Sequence, residues 1–156
     1  MKGTIIKIIG LILFIITSTV ISININVYDL LEGTNTTILN FSVSIAYLVL
    51  WFILSLYKGI KNEKRFRTFI IVYWGIDISS TVLMGILSLA GFKIPVFLFP
   101  FYIWYFSPLY GFNYILNLNI AQLILITAPL GILFSSLGYF SGLLISKSKI
   151  PYKKQG

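Results

Sequence analysis

The sequence predicts an all-α fold: a polytopic integral membrane protein with four transmembrane helices, both termini cytoplasmic, and an aromatic, proline-rich interfacial segment on the outer side. Three observations predict it. First, the 156 residues are 58% hydrophobic and 10% charged, whereas soluble domains carry about 25% charged residues. That is too little polar surface to cover so much apolar volume in water. Second, the apolar residues gather in four runs, each close to the roughly 20 residues that cross ~30 Å of hydrocarbon as a helix. Third, eleven of the twelve Lys and Arg residues fall on one side of a four-span topology. The positive-inside rule makes that side cytoplasmic. Residues 1–156 are read as a single transmembrane domain.

The first span is expected over 4–23. Lys2 and Lys7 open it. A basic start, an apolar middle and the small residues Thr17, Ser18 and Thr19 also suit a signal peptide. No Ala-x-Ala site follows and the apolar run is long, so an uncleaved anchor is the preferred reading. Residues 24–37 read as an outer loop with Asp29 and Glu32 and no basic residue. Its triplet Asn35-Thr36-Thr37 fits the glycosylation pattern. The excess of Ile over Leu, with abundant Asn and Lys, suggests an A+T-rich bacterial genome, in which that triplet has no role.

The second span is expected over 38–57. Asn40, Ser44, Tyr47, Trp51 and Ser55 recur on one face of it. The link that follows carries Lys58, Lys61, Lys64, Arg65 and Arg67, charges that hold a loop against an anionic inner leaflet.

The third span, 68–91, contains the one acid inside a long apolar run. Asp77 lies ten residues beyond Arg67, roughly 15 Å along a helix and so near the bilayer midplane. An ionised Asp there costs about 2.5–3.5 kcal/mol on insertion scales, which points to a neutral, hydrogen-bonded acid. Tyr73, Asp77, Ser80, Thr81, Met84 and Ser88 form one stripe at three- and four-residue steps. That stripe should face the other helices. Equal depth on the neighbouring spans makes Tyr47 and Ser135 the expected hydrogen-bond partners of Asp77. The polar candidates are therefore Asp77, Tyr47, Tyr73, Ser80, Thr81 and Ser135. Read plainly, Asp77 is a polar contact between helices, of a kind that contributes about 0.6–2 kcal/mol; read functionally, it is a proton or solute site.

Segment 92–118 is the irregular piece. It holds Pro95, Pro100 and Pro108 and an aromatic residue at nearly every second position. Proline removes backbone donors, and aromatic rings favour the headgroup level. The segment is expected to lie as a cap on the outer leaflet; a broken extra helix is the alternative.

The fourth span is expected over 119–146. Gly131, Ser135, Gly138 and Gly142 form a seam of small residues, suited to close helix packing within the chain or, alternatively, between two copies. Pro129 should kink the helix and free the carbonyl of Leu125. Asn113, Asn117, Asn119 and Gln122, with Asn40, could floor a small polar pocket beneath the cap, although such residues more often cap helices. Lys147, Lys149, Lys153 and Lys154 follow.

The chain has no Cys and no His, and only Asp29, Glu32, Glu63 and Asp77 are acidic. Thiol, metal and paired-carboxylate chemistry lack their usual groups. No enzyme activity, metal or cofactor is expected. Nucleic acid is not an expected partner, because the basic residues sit between apolar runs. The expected partners are the lipid bilayer with its anionic inner leaflet, and another membrane protein or a second copy. The function expected first is a small non-enzymatic component of a cell membrane. It would bind a partner or shield the membrane, as accessory and immunity proteins do. The alternative is a solute or proton pathway centred on Asp77.

Overall fold

The computed structural model describes residues 2–33, 35–90 and 96–148. Lys93, Pro95, Lys149, Lys153 and Lys154 lie outside the described residues, as do the side chains of Lys2, Lys7 and Ser88. All regular structure among the described residues is helical, and four helices are long and apolar enough to cross a membrane.

Helix α1 runs from Lys2 to Glu32. It takes in most of the stretch expected as the outer loop. The reason is its buried face. Ile15, Ser18, Thr19, Ser22, Asn26 and Leu30 are all buried and recur at helical steps. Polar residues that a loop reading assigns to water instead find partners on the next helix. The helix ends at Gly33, whose φ of 62° supplies the left-handed residue that commonly closes a helix.

Helix α2 spans Ile38–Ile60. Thr37 caps it, and Asn40 completes the reciprocal bond to the Thr37 N–H at 2.8 Å. Its far end turns within three residues. Asn62 takes a left-handed φ of 52°, and its N–H donates to the Gly59 carbonyl at 2.8 Å. The Glu63 N–H returns to the Lys58 carbonyl at 3.1 Å. The buried Lys58 ammonium reaches Glu63 at 2.9 Å. Helix α3, Lys64–Leu89, starts immediately afterwards. Lys64, Arg65 and Arg67 therefore occupy its first turn, where the helix dipole disfavours cations. Their placement does not help the helix itself.

Between α3 and the last long helix the chain breaks into short pieces. A 3-10 turn at Val96–Leu98 leads into α4, Phe99–Phe106, then a second 3-10 turn, Ser107–Phe112, and α5, Asn113–Leu116. This stretch is wedged among the long helices. Tyr105 through Gly111 are buried without a gap, and the Ser107–Phe112 turn packs on α1, α2 and α6. Asn117, with φ 46°, reverses the chain into α6, Ile120–Ser148, which continues through Pro129.

Helices α2 and α6 form the central pair. Gly59, Gly138 and Gly142 let their backbones meet: a Cβ on Gly142 would stand 2.2 Å from the Leu56 carbonyl oxygen, and one on Gly138 2.4 Å from that of Phe52. Helix α3 packs on α6, where Gly131 lies flat beneath the Trp74 ring. Helix α1 is held by α2 and by the broken stretch. The distribution of polarity is inverted relative to a soluble bundle. Ser44, Ser55, Ser107, Thr127 and Ser135 are fully buried, while Ile53, Ile86, Leu125 and Leu144 stand more than half exposed on the outside.

Candidate functional site

Polar side chains line the interior of the bundle in three groups. The first fastens the broken stretch. Pro108 interrupts regular hydrogen bonding, and its carbonyl accepts from Ser44 Oγ at 2.7 Å and from Asn26 Nδ2 at 3.3 Å. Ser44 Oγ in turn accepts from the Gly111 N–H at 3.1 Å and from Asn26 Nδ2 at 3.3 Å. That hydroxyl thereby uses its one donor and both acceptor positions. Gly111 has no room for a side chain: a Cβ would lie 2.0 Å from the Asn40 carbonyl oxygen. Asn40 extends the group. Its Nδ2 donates to Asn26 Oδ1 at 3.1 Å, to Asp29 Oδ2 at 2.8 Å and to the Ile25 carbonyl at 3.2 Å.

The second group joins α1, α2, α3 and α4. The Tyr47 hydroxyl meets Thr19 Oγ1 at 3.3 Å. Trp104 Nε1 donates to the Tyr73 hydroxyl at 3.0 Å. Aromatic rings enclose these hydroxyls. Trp51 lies 4.9 Å from the Tyr73 ring, 5.0 Å from Trp74 and parallel to Phe69, and Tyr73 meets Tyr105 edge-on at 5.1 Å. Ring pairs of this geometry contribute about 0.5–1.5 kcal/mol each beyond their buried area.

Asp77 is the third. It is 4% exposed, and Thr81 lies one turn along the same helix. Its Oδ2 makes no hydrogen bond among the described residues. It borders a cavity of about 10 Å³, shared with Thr81, Tyr105, Leu109, Ile124 and Thr127.

The structure brings Asp77, Thr81, Tyr47 and Tyr73 into one neighbourhood, but not with the bonds expected from depth alone. The Tyr47 hydroxyl is engaged by Thr19. Ser135 receives the Trp74 Nε1–H at 3.0 Å instead of reaching Asp77. The α3–α6 register explains this. Trp74 sits opposite Gly131 and Ser135, so Asp77, three residues on, faces Ile124, Thr127 and Ala128. Ser80 turns back to the Asp77 backbone carbonyl at 2.8 Å. Gly138 and Gly142 face α2, and Gly131 faces α3.

The polar pocket imagined beneath the cap does not assemble. Asn113 Oδ1 accepts from the Leu118 N–H at 2.8 Å, and Asn119 Oδ1 caps α6 through the Gln122 N–H at 3.0 Å. Of that set, only Asn40 joins the buried network.

Sequence reasoning passed over Thr19, Asn26, Trp104, Tyr105 and Thr127. For Thr19 and Asn26 a signal existed: Ser18, Ser22, Asn26 and Asp29 keep helical spacing past residue 23. Thr127 offered none, since a Thr that donates to the carbonyl four residues back, here Leu123 at 2.8 Å, is unremarkable in an apolar helix.

No family model matches the chain, and no curated protein or solved structure matches it either.

Proposed function

We propose that this chain is a small non-enzymatic component of a bacterial cytoplasmic membrane that works by binding. It crosses the bilayer four times, with both ends and the Lys58–Arg67 turn at the anionic inner leaflet. The stretch 96–116 is set into the outer half of the bundle. The chain's role is to hold a partner membrane protein or to shield the membrane from an outside agent, as accessory and immunity proteins do.

The observation that carries this reading is the closed surroundings of Asp77. A pathway for protons or solutes needs an opening that reaches the carboxyl. The cavity there is about 10 Å³ and walled by Phe106, Leu109, Ile124 and Ala128 on its apolar side. A larger hollow, about 460 Å³, lies instead on the outer flank of α3 and α4 between Ile71, Gly75, Ser79, Leu83 and Phe101. Its residues face what would be lipid or a neighbouring helix, not an interior passage.

Reconstitution separates binding from conduction. Purified protein in liposomes loaded with a pH-sensitive dye should pass protons, sodium and potassium no faster than protein-free liposomes. Isolation in mild detergent should bring down a defined companion, and a photo-crosslinker at Ser79 or Phe101 should trap it. Ion flux that disappears in Asp77→Asn would move the function to the pathway reading. A stable lone monomer without companions would also count against binding.

A further inference from the structure

Asp77 Oδ2 combines two properties that together point to a ligand. It is deeply buried without a hydrogen-bond partner among the described residues, and its side chain borders a cavity of about 10 Å³. A buried polar atom left unpaired is costly. A cavity needs about 10–15 Å³ on this measure to admit one water, which then makes two to four hydrogen bonds. The walls provide them. Besides Asp77, three lining residues carry hydroxyls: Thr81, Tyr105 and Thr127. The Thr127 hydroxyl spends its proton on the Leu123 carbonyl at 2.8 Å, which leaves its lone pairs to accept.

We propose that this cavity is a binding site for one ordered water, held by Asp77, Thr127 and Tyr105. The water bridges α3, α6 and α4. One turn away, Trp74 and Ser135 make the corresponding α3–α6 bond directly. Water fits the site better than a cation. Hard cations take six or more oxygen ligands, whereas Phe106, Leu109, Ile124 and Ala128 contribute no side-chain oxygen. The site is independent of whether the chain binds a partner or conducts.

Two measurements test it. A high-resolution structure of the unsubstituted protein in lipid should show one density peak within hydrogen-bonding distance of Asp77 Oδ2 and Thr127 Oγ1. A well-defined map with no peak there overturns the proposal. So does anomalous signal at the site after soaking with rubidium or thallium, which would make it a cation site. The second measurement is thermal unfolding of Ala128→Val, which pushes methyl groups into the cavity. Displacing the water and stranding the carboxyl should lower the melting temperature by about 2–4 °C. A raised melting temperature means that a dry void has been filled, and overturns the proposal. If that variant does not fold, the map of the unsubstituted protein decides the question.

Discussion

Gly59 and Gly75 lie on neighbouring helices and have opposite surroundings. A Cβ on Gly59 would stand 2.1 Å from the Tyr139 carbonyl oxygen, whereas one on Gly75 meets nothing within 4 Å. Gly59→Ala and Gly142→Ala should therefore each destabilise the protein by about 1–3 kcal/mol, because backbone cannot yield as a side-chain tip does. Gly75→Ala should stabilise it by about 0.5–1 kcal/mol through helix propensity alone. Thermal unfolding in detergent checks all three. Asp77→Asn should fold normally and lose about 0.6 kcal/mol or less, the average size of a polar contact between membrane helices; complete loss of assembly would mean that the charge itself matters. At this scale the sequence was most informative where a residue was expensive. A lone acid in an apolar run is conspicuous. Thr127 is not, because a hydroxyl bonded within its own helix costs little in lipid and leaves no mark on the pattern.

Among the elements, α1 and the broken stretch show what periodicity can and cannot convey. Four long apolar helices were readable from run length, and the inward face of α2 from its three- and four-residue steps. The end of α1 was not, since its last nine residues look like a polar loop until Asn40 is placed against Asn26 and Asp29. Asn40→Ala removes a cap bond and three cross-links between helices. It should cost about 1–3 kcal/mol, and amide hydrogen exchange should rise over residues 24–32 before it rises elsewhere. The prolines and aromatic rings of 96–116 marked a break in regular structure. What the break packs against depends on Ser44 and Asn26, 64 and 82 residues away from Pro108. No local pattern encodes contacts at such separations. The absence of native cysteine gives a clean test of the packing: Leu109→Cys, at a site 1% exposed, should resist thiol reagents, while Tyr114→Cys, at a site 48% exposed, should react.

For the molecule as a whole, an apolar exterior around a hydroxyl- and amide-rich interior is the arrangement a bilayer selects. Lipid offers nothing to polar groups, and apolar side chains gain nothing by hiding from it. The charge asymmetry adds direction to that arrangement. In intact cells an impermeant thiol reagent should label Asn35→Cys and spare Asn62→Cys, and the reverse result would invert the topology. The helical, apolar class is legible from composition because it follows from summed solvation energies. The interior network is not, because it depends on which helices become neighbours.

The pairing of α2 with α6 also has a consequence for biogenesis. These two helices are separated in the chain by α3 and the whole broken stretch, so the glycine face of α2 has no mate until the ribosome has delivered almost everything else. A nascent chain arrested before α6 leaves Ser55 and Gly59 facing lipid, while the 107–112 turn already has α1 and α2 to rest on. Truncation within α6 should thus produce a species that inserts yet never consolidates, one that membrane quality-control proteases clear quickly, whereas a chain that carries all of α6 becomes resistant.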